Sequence, residues 1–380
     1  MEKLLTIIGA RPQIIKAAAL NRCIRKQFAQ QLKEVIVHTG QHYDDNMSEV
    51  FFSEMEIPPP DYNLNVGSGS HGWQTARMIE GIEEVLLKEK PDNVIIYGDT
   101  NSTLAGSVAA AKLNIPVIHI EAGLRSFNRT MPEEINRVTC DHLSTLLFSP
   151  TKAGFNNLLH EGFNANNSAP FTPENPGVFH CGDVMYDNSL FFARKAAEKS
   201  AILKKHQLEG KRFVLATVHR DHNTDKPEKL RSIMEAFLKI SEDTDVVLPL
   251  HPRTRKMLQQ EVHRELYSRM QKHPALHLVP PVSFFDIIRL EQQAKMIITD
   301  SGGVQKEAYF FKKPCIILRP ETEWTELVET GTAILANADY DKIIAAFKHF
   351  SNNNLLQYPE IFGDGQAAEF ICETILANKV

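Results

Sequence analysis

Acidic and histidine side chains follow several short apolar runs of this sequence. Asp99 comes after "VIIYG", Glu121 directly after "VIHI", and His219 directly after "FVLATV". Carboxylates can exchange protons with a substrate, and histidine can stabilise negative charge that develops during a reaction. Each also has an ordinary explanation, since Asp99 suits a helix cap and a single loop histidine usually has a structural partner. Glu121 is harder to explain that way, because a carboxylate at the edge of a core needs a partner or a function.

Further charged residues occupy the same kind of position. Arg11 and Lys16 lie in "GARPQIIK" after the first apolar run, and Glu133 lies in "PEEINR", where it could also be a first-turn helix glutamate. In the second half, Arg220 lies in "TVHRDH" and His251 follows "VVLPL". In an open α/β sheet, ligands bind beyond the carboxyl ends of the strands. The sequence therefore predicts that these side chains converge at the carboxyl edges of parallel sheets.

The stretch "TDSGGVQKEA", residues 299–308, predicts a site for a nucleotide diphosphate. Gly302 and Gly303 allow a close approach to the backbone, and N–H groups at a helix start bind anions such as phosphate. A carboxylate nearby is unfavourable for phosphate alone, but it can accept hydrogen bonds from both hydroxyl groups of a ribose. We therefore predict that Ser301, Gly302 and Gly303 hold a pyrophosphate and that Glu307 binds the ribose.

The elements that position these residues are short apolar strands separated by helix-length segments. Runs rich in Val, Ile and Leu are typical of parallel strands covered on both faces. The predicted strands are Leu4–Ile8, Val35–His38, Val94–Tyr97, Val117–Ile120, Leu146–Ser149, Phe213–Thr217, Val246–Leu250, Leu276–Val279, Met296–Thr299 and Cys315–Leu318. Two sets of five predict an α/β protein with two doubly wound, Rossmann-like domains.

The boundary between the domains is expected in residues 163–183, which are rich in asparagine, proline and small residues. Long structureless loops inside a compact domain are uncommon, so a linker explains this stretch better. We predict an N-terminal domain over residues 1–175 and a C-terminal, nucleotide-binding domain over residues 176–363. Two such domains that face a cleft form the GT-B architecture of many enzymes that use sugar nucleotides.

Composition argues against several classes of function. The formal net charge of −5 predicts neither nucleic-acid binding nor attachment to an anionic membrane. No apolar run reaches the length of about 18 residues that indicates a membrane-spanning helix. The five cysteines show no CxxC spacing, which is typical of a reducing cytoplasm and predicts no metal site. A single glycine, Gly9, follows the first strand instead of GxGxxG, and we expect no nicotinamide or other cofactor.

Taken together, the motifs closely resemble the non-hydrolysing UDP-N-acetylglucosamine 2-epimerase family. The resemblance covers roughly residues 4–375, in the order "GARPQIIK", "TGQHYD", "YGDTNSTLAG", "HIEAGLRS", "PEEINR", "SPT", "DSGGVQKEA" and "ETGT". It implies a cytoplasmic isomerase that interconverts UDP-GlcNAc and UDP-ManNAc for cell-surface polysaccharide synthesis, with UDP bound by the second domain. It also implies a homodimer, and a C-terminal helix over residues 364–380 that packs back on the first domain.

The resemblance further implies a reaction and roles for the candidate residues. In this family UDP is eliminated to leave a 2-acetamidoglucal, and UDP is then added back with inversion at C2. At the matching positions, Asp99, Glu121 and Glu133 are the catalytic carboxylates, and His219 lies near the departing diphosphate. The residues expected to bind substrate are Arg11, Lys16, Arg220, His251, Ser301, Gly302, Gly303 and Glu307. Which carboxylate is the acid and which the base stays open.

Several positions depart from the family pattern and leave the exact substrate open. The chain has Gln13 where the family commonly has glutamate, Asp221 where a second arginine is common, and Lys306 inside the UDP motif. These features are similar to a subgroup that includes UDP-2,3-diacetamido-2,3-dideoxyglucuronate 2-epimerases. The chain could also be a GT-B glycosyltransferase or an inactive nucleotide-sugar sensor. A glycosyltransferase would not explain the carboxylates of the first domain, and a sensor could have lost Asp99 or Glu121.

Overall fold

The structure is a computed structural model that describes residues 1–41, 56–353 and 355–378. Positions 42–44 of the "TGQHYD" motif and the last two positions of the predicted C-terminal helix lie outside the described residues. The chain divides into two compact units, each with its own parallel sheet. Unit 1 comprises Met1–Asn188 and Glu360–Val380, and unit 2 comprises Ser189–Pro359. Two Rossmann-like α/β units confirm the predicted fold class.

Seven parallel strands form the sheet of unit 1. They are β1 Glu2–Ile8, β2 Leu32–His38, β3 Tyr62–Asn63, β4 Asn93–Tyr97, β5 Val117–Ile120, β6 Leu146–Ser149 and β7 Gly177–His180. Within the described residues, the helices before unit 2 are α1 Arg11–Cys23 with a π-helical turn Ile24–Phe28, α2 His71–Glu89, α3 Asn101–Lys112, α4 Pro132–Leu143, α5 Lys152–His160 and α6 Val184–Lys199, which continues into unit 2. β5 and β6 are buried along their whole length, as expected for central parallel strands whose two faces are both covered.

Six parallel strands form the sheet of unit 2. They are β8 Phe213–Thr217, β9 Asp245–Pro249, β10 Leu276–Val279, β11 Met296–Thr299, β12 Cys315–Ile317 and β13 Ala333–Leu335. The helices are α7 Ile202–Lys205, α8 Asp221–Thr224, α9 Pro227–Ser241, α10 Pro252–Leu258 with a 3₁₀ turn Glu261–His263, α11 Arg264–Lys272, α12 Phe284–Gln293, α13 Gly302–Phe310, α14 Thr325–Glu329 and α15 Tyr340–Asn352. The core includes Val214 and Leu248 of the sheet, Phe237 of α9 and Phe347 of α15.

Each sheet has one point at which its strand order reverses. The order in unit 1 is β3-β2-β1-β4-β5-β6-β7, so the reversal lies between β1 and β4. The order in unit 2 is β10-β9-β8-β11-β12-β13, so the reversal lies between β8 and β11. The connections leave such a pair of strands towards opposite faces of the sheet, which opens a crevice at their carboxyl ends. Asp99 follows β4, and Ser301 follows β11, so both predicted sites begin at such a crevice.

The ten predicted strands are all present, and the part of the chain that the structure describes contains three further strands. The additional strands, β3, β7 and β13, each lie at an edge of a sheet and contain two to four residues. An edge strand has a neighbour on one side only, so it needs less of the continuous apolar pattern that marks a central strand. For this reason the apolar pattern predicts the inner strands better than the edges.

Unit 1 extends beyond the boundary predicted at residues 175/176. β7 lies in the stretch interpreted as a linker, and it pairs with β6 from Leu146↔Gly177 to Ser149↔His180. The division between the units falls after Asn188, which lies inside α6 and not in a loop. The many asparagines and prolines before Gly177 obscure the short apolar segment that forms the edge strand.

The last helix, α16 Ala367–Ala377, lies in unit 1 and packs against α1. Asp187 of α6 accepts hydrogen bonds from the backbone N–H groups of Ala367 (3.2 Å) and Ala368 (2.8 Å). It thereby satisfies two N–H groups of the first turn that have no partner inside the helix. Burial raises the pKa of Asp187 to about 6, although these two donors and Arg22 oppose the shift.

This pKa predicts how the stability of unit 1 depends on pH. The folded protein holds the Asp187 proton more tightly than the unfolded chain, so the stabilisation is complete below about pH 4 and is lost as the pH rises to about 6. We expect this group to lower the free energy of unfolding by up to about 3 kcal/mol over that window. Asp187→Asn, which cannot ionise, should remove this part of the pH dependence.

Urea unfolding at several pH values measures the effect. In a Trp324→Phe background, Trp73 is the remaining tryptophan, so fluorescence reports on unit 1. Asp364→Asn is the matched control. Asp364 precedes α16 in the sequence, as Asp187 contacts its first turn in space, but Asp364 is exposed. The control should keep the wild-type pH dependence, and the same dependence in Asp187→Asn would contradict the assignment.

Candidate functional site

Lys16 of α1 and Glu121, directly after β5, form an ion pair in unit 1. Gly98 lies against this pair: a Cβ atom there would be 2.9 Å from Lys16 Nζ and 3.2 Å from Glu121 Oε2. Glu121 itself has a φ angle of +78°, a region that residues with side chains rarely adopt. Such a conformation persists only where the surrounding structure imposes it, and it is frequent at functional sites. The Glu121 carboxylate is thus held at a defined position beside a cation.

Gln13 anchors the turn between β1 and α1. Its Oε1 accepts hydrogen bonds from the backbone N–H groups of Gly9 (2.9 Å) and Ala10 (3.2 Å). Its Nε2 donates to the carbonyl oxygen of Tyr97 and to Thr103 Oγ1, both at 3.0 Å. The side chain therefore joins the two turns at the reversal point of the sheet. Gln13 does not resemble a site residue in the sequence, because its role depends on these long-range contacts.

Asp99 is tied to helix α4 by Arg137, whose Nη2 lies 2.5 Å from Asp99 Oδ2. Arg137 Nη1 lies 3.1 Å from a Glu134 carboxylate oxygen, and Asn136 Nδ2 donates to the Asp99 carbonyl oxygen over 2.8 Å. Burial alone would lower the pKa of Arg137, but the two carboxylates raise it above its usual value. A permanent positive charge therefore stands beside Asp99.

The two adjacent glutamates at the start of α4 have different environments. Glu134 is buried and accepts hydrogen bonds from the backbone N–H groups of Ser126 (2.8 Å) and Phe127 (2.9 Å). Burial alone would raise the pKa of Glu134, but these donors and Arg137 lower it, so it is an ionised anchor for the loop. Glu133, the predicted catalytic residue, is exposed one helical turn before Arg137 on the same face.

The predicted residues of unit 1 therefore occupy different positions relative to the reversal point. Lys16, Glu121 and Asp99 are brought together around the Gly98 turn. Arg11 is the exposed first residue of α1, on the neighbouring turn.

In unit 2, the completely buried Asp300 organises the turn after β8. Its carboxylate accepts hydrogen bonds from the backbone N–H of His219 (3.1 Å), the backbone N–H of Arg220 (3.0 Å) and Asn223 Nδ2 (3.1 Å). Asn223 Nδ2 also donates to the carbonyl oxygen of Leu318 over 2.9 Å. Asp300 thus joins the carboxyl ends of β8 and β11, although the sequence pattern indicated only the following Ser-Gly-Gly.

His219 and His251 lie beside this carboxylate. His219 Nδ1 is 3.3 Å from Asp300 Oδ1, and the two histidine ring centroids are 5.6 Å apart. Burial lowers the pKa of His219 below its usual value, although Asp300 opposes the shift. Burial likewise lowers the pKa of His251, whose Nδ1 accepts a hydrogen bond from the backbone N–H of Arg253 (3.2 Å). Arg220 is exposed next to His219.

Helix α13 begins directly after Ser301, as predicted from the Ser-Gly-Gly sequence. The Ser301 hydroxyl accepts from the backbone N–H of Val304, and Gly302 is buried against Glu323. Gly303 is exposed, and a Cβ atom there would come no closer than 3.9 Å to Ser301 Oγ. Its backbone is therefore accessible to an anion at the helix start. Lys306 is buried, with its Nζ 4.2 Å from the centroid of the Trp324 ring.

Glu307 lies half-buried one turn into α13, next to Glu291 of α12. Glu291 is completely buried. Burial, followed by the neighbouring Glu307 carboxylate, raises the pKa of Glu291 well above its usual value. A protonated Glu291 can donate a hydrogen bond to the Glu307 carboxylate. Within the described residues, no group of three or more His, Cys, Asp or Glu side chains could hold a metal ion.

Comparisons with known proteins identify the family of the chain. The family model described as UDP-N-acetylglucosamine 2-epimerase matches residues 25–376. The chain belongs to the UDP-N-acetylglucosamine 2-epimerase family. A "UDP-N-acetylglucosamine 2-epimerase homolog" of Methanococcus maripaludis is 50% identical, over 98% of this chain and 99% of that protein. The "UDP-2,3-diacetamido-2,3-dideoxy-D-glucuronate 2-epimerase" of Pseudomonas aeruginosa is 46% identical, over 98% of each chain.

A solved structure of the family has the same fold. The crystal structure of Methanocaldococcus jannaschii UDP-GlcNAc 2-epimerase in complex with UDP-GlcNAc and UDP matches with a TM-score of 0.83. It is 40% identical and the match covers 99% of each chain. The family that the sequence motifs resemble is thus confirmed.

The contacts of Asp300 predict the effect of removing its charge. Asp300→Asn should lower the pKa of His219 further, because Asp300 favours the protonated ring. It should also lower the free energy of unfolding of unit 2 by about 1.5–3 kcal/mol, as is usual for a lost hydrogen bond to a charged group. An NMR titration of labelled histidine measures the first effect, and Trp324 fluorescence during urea unfolding in a Trp73→Phe background measures the second.

Asp225→Asn provides the comparison for this variant. Asp225 is an exposed aspartate of the same unit that pairs with Arg253. The Asp225→Asn variant should leave the pKa of His219 unchanged. A His219 pKa that is equal or higher in Asp300→Asn would contradict the electrostatic role of Asp300.

Proposed function

We propose that the protein is a UDP-N-acetylglucosamine 2-epimerase, an isomerase that interconverts UDP-GlcNAc and UDP-ManNAc. The observation that carries the proposal is the set of groups found at the two points where the strand order of a sheet reverses. Unit 1 presents Asp99 beside Arg137 and Glu121 beside Lys16. Unit 2 presents an accessible helix start at Gly303, which suits a diphosphate. Membership of the family supports the same reaction.

The reaction needs a base and an acid but no redox step. A carboxylate removes the proton from C2 while the bond between C1 and the UDP oxygen breaks, and the electron pair forms the C1=C2 bond of a 2-acetamidoglucal. UDP then adds back to C1, and a proton reaches the opposite face of C2. The two faces need different groups or one group that moves, and Asp99, Glu121 and Glu133 are the candidates.

The proposed binding residues have separate tasks. Arg11, Lys16 and Arg220 stabilise negative charge on the departing diphosphate, with His219 and His251 close to it. A second set binds UDP: Ser301, Gly302, Gly303 and Glu307. Burial lowers the pKa of His219 and favours the neutral ring, which can donate one hydrogen bond, either from Nδ1 to Asp300 or from Nε2 to the diphosphate.

Similarity to a diacetamidoglucuronate epimerase supports one alternative substrate. The chain has Gln13, Asp221 and Lys306 where the family commonly has other residues. We infer that these departures bear on the substituents that the sugar can carry and not on the C2 chemistry. A product profile over purified UDP-GlcNAc and UDP-2,3-diacetamido-2,3-dideoxyglucuronate distinguishes the two substrates. UDP release that requires an added acceptor would instead indicate a glycosyltransferase.

We also propose a cytoplasmic homodimer that supplies cell-surface polysaccharide synthesis. The resemblance to the family is the support for this setting. Among the described residues, no helix combines the length and the apolar character that crossing a membrane requires.

The proposed chemistry predicts isotope incorporation at C2. Epimerisation in D₂O should leave deuterium at C2 of the product, because the proton removed by a carboxylate exchanges with solvent. Asp99→Asn, Glu121→Gln and Glu133→Gln keep the side-chain shapes but remove their basicity, and each should lower kcat by about 10²–10⁴-fold. Proton NMR of the product and steady-state kinetics measure both effects. Full retention of protium together with near wild-type turnover in all three variants would refute this mechanism.

The ribose role of Glu307 predicts a loss of nucleotide affinity. Glu307→Ala removes a charged acceptor and should weaken UDP binding by about 1.5–3 kcal/mol in calorimetry, with a smaller effect on the chemical step. Glu265→Gln, which replaces an exposed glutamate of α11, is the control and should bind UDP normally. Unchanged UDP affinity in Glu307→Ala would place the nucleotide elsewhere.

A further inference from the structure

His119 is a completely buried histidine in the middle of β5. Its Nε2 lies 2.8 Å from the carbonyl oxygen of Gly98, and its Nδ1 lies 2.6 Å from Asp141 Oδ1. A carbonyl oxygen and a carboxylate oxygen can only accept, so both ring nitrogens donate and the ring is positively charged. Gly98 is the residue before Asp99. The contact of Nε2 therefore reaches the turn that carries Asp99, a proposed catalytic carboxylate.

The other oxygen of Asp141 reaches the turn that carries Glu121. Asp141 Oδ2 accepts from the backbone N–H of Gly123 (3.1 Å) and lies 2.7 Å from Arg125 Nη2. Arg125 in turn forms two hydrogen bonds of 2.7 Å with Glu161. His119 and Arg125 thus balance the charges of Asp141 and Glu161, so that the network, which is buried up to the exposed Glu161, is neutral.

The charges in this network favour an ionised Asp141. Burial alone would raise the pKa of Asp141, but His119 and Arg125 lower it below its usual value. A buried charge group of this kind requires all its partners in place, because an unpaired charge would be costly. The distances between the two turns are therefore fixed by the network.

We propose that His119 is a positioning residue that couples the Gly98–Asp99 turn to the Glu121–Gly123 turn through Asp141. It does not touch the substrate. It sets the separation of the carboxylates Asp99 and Glu121 and thereby the rate of proton transfer at C2. This inference rests on the proposed epimerase function.

Two substitutions test the contacts of the two ring nitrogens separately. In His119→Gln the amide nitrogen can take the place of Nε2 and keep the bond to the Gly98 carbonyl. In His119→Asn it takes the place of Nδ1, and that bond is lost. We expect His119→Asn to lower kcat about 10–100-fold, because small misplacements of catalytic groups have effects of this size. His119→Gln keeps the bond to Gly98 but loses the contact with Asp141. It should lower kcat by a similar factor, because either loss breaks the bridge between the turns, and UDP affinity should stay within twofold of wild type in both variants.

A double-substitution cycle with Asp99→Asn tests whether His119 acts through the Asp99 turn. In the Asp99→Asn background, His119→Asn should lower kcat less than threefold further, whereas its effect on the urea midpoint should be as large as in the wild-type background. A purely structural histidine would lower kcat by the same factor in both backgrounds. His263→Asn, which replaces a buried histidine of unit 2, is the control and should retain wild-type kcat.

The outcomes distinguish this inference from the proposed function. If Asp99→Asn keeps wild-type turnover, the assignment of the catalytic carboxylate fails. If Asp99→Asn is impaired but His119→Asn is not, the positioning role is overturned. Wild-type kcat in His119→Gln, which lacks the contact with Asp141, or a full further loss in the Asp99→Asn background, overturns it as well.

Discussion

Asp141 and Asp300 are completely buried carboxylates, and each depends on backbone N–H donors from a turn at the carboxyl edge of its sheet. Asp141 holds Gly123, and Asp300 holds His219 and Arg220. A carboxylate away from water costs several kcal/mol unless its donors compensate, so neither turn can move without leaving a charge unsatisfied. The flexible part of a Rossmann-like fold, its loops, is made rigid where the proposed site residues begin.

This rigidity explains how Glu121 persists in a left-handed conformation. Its φ of +78° costs on the order of 1–3 kcal/mol for a residue with a side chain. The backbone N–H groups of Glu121 and Ala122 both donate to the carbonyl oxygen of Phe148, at 3.0 Å each, and Lys16 holds the side chain. Two residues further on, Asp141 holds Gly123 in place. The strain is offset by surrounding contacts, and the result is a carboxylate directed to one position.

The sequence predicted the inner strands and the turns after them, because both follow from short apolar runs and the polar residues that end them. It did not predict the edge strands β3, β7 and β13, which need only a few apolar residues. It could not distinguish Glu133 from Glu134, since adjacent glutamates at a helix start look alike until the loop that one of them binds is placed. Asp300 was also not singled out, because a buried aspartate is recognised by its donors, and these lie about 80 residues away along the chain.

Gln13 stands where the family commonly has a glutamate. It preserves the local fold and changes the electrostatic potential at the turn, because its side chain is neutral. Its amide accepts from Gly9 and Ala10 and donates to the Tyr97 carbonyl oxygen and to Thr103. A glutamate at this position could accept the first two bonds, but an ionised carboxylate could not donate the others. The amide therefore satisfies all four partners without adding a negative charge.

The absence of that charge matters for the neighbouring cations. Arg11 and Lys16 lie on the helix that begins at the same turn, and the Lys16 charge already balances that of Glu121. Since charges separated by a few ångströms in a partly buried site interact by a few kcal/mol, a further carboxylate here would weaken the attraction for an anion. The neutral Gln13 keeps more of the Arg11 charge effective for the diphosphate that departs in the proposed reaction. The same side chain thus secures the reversal point of the sheet and favours the negative charge that the proposed reaction releases there.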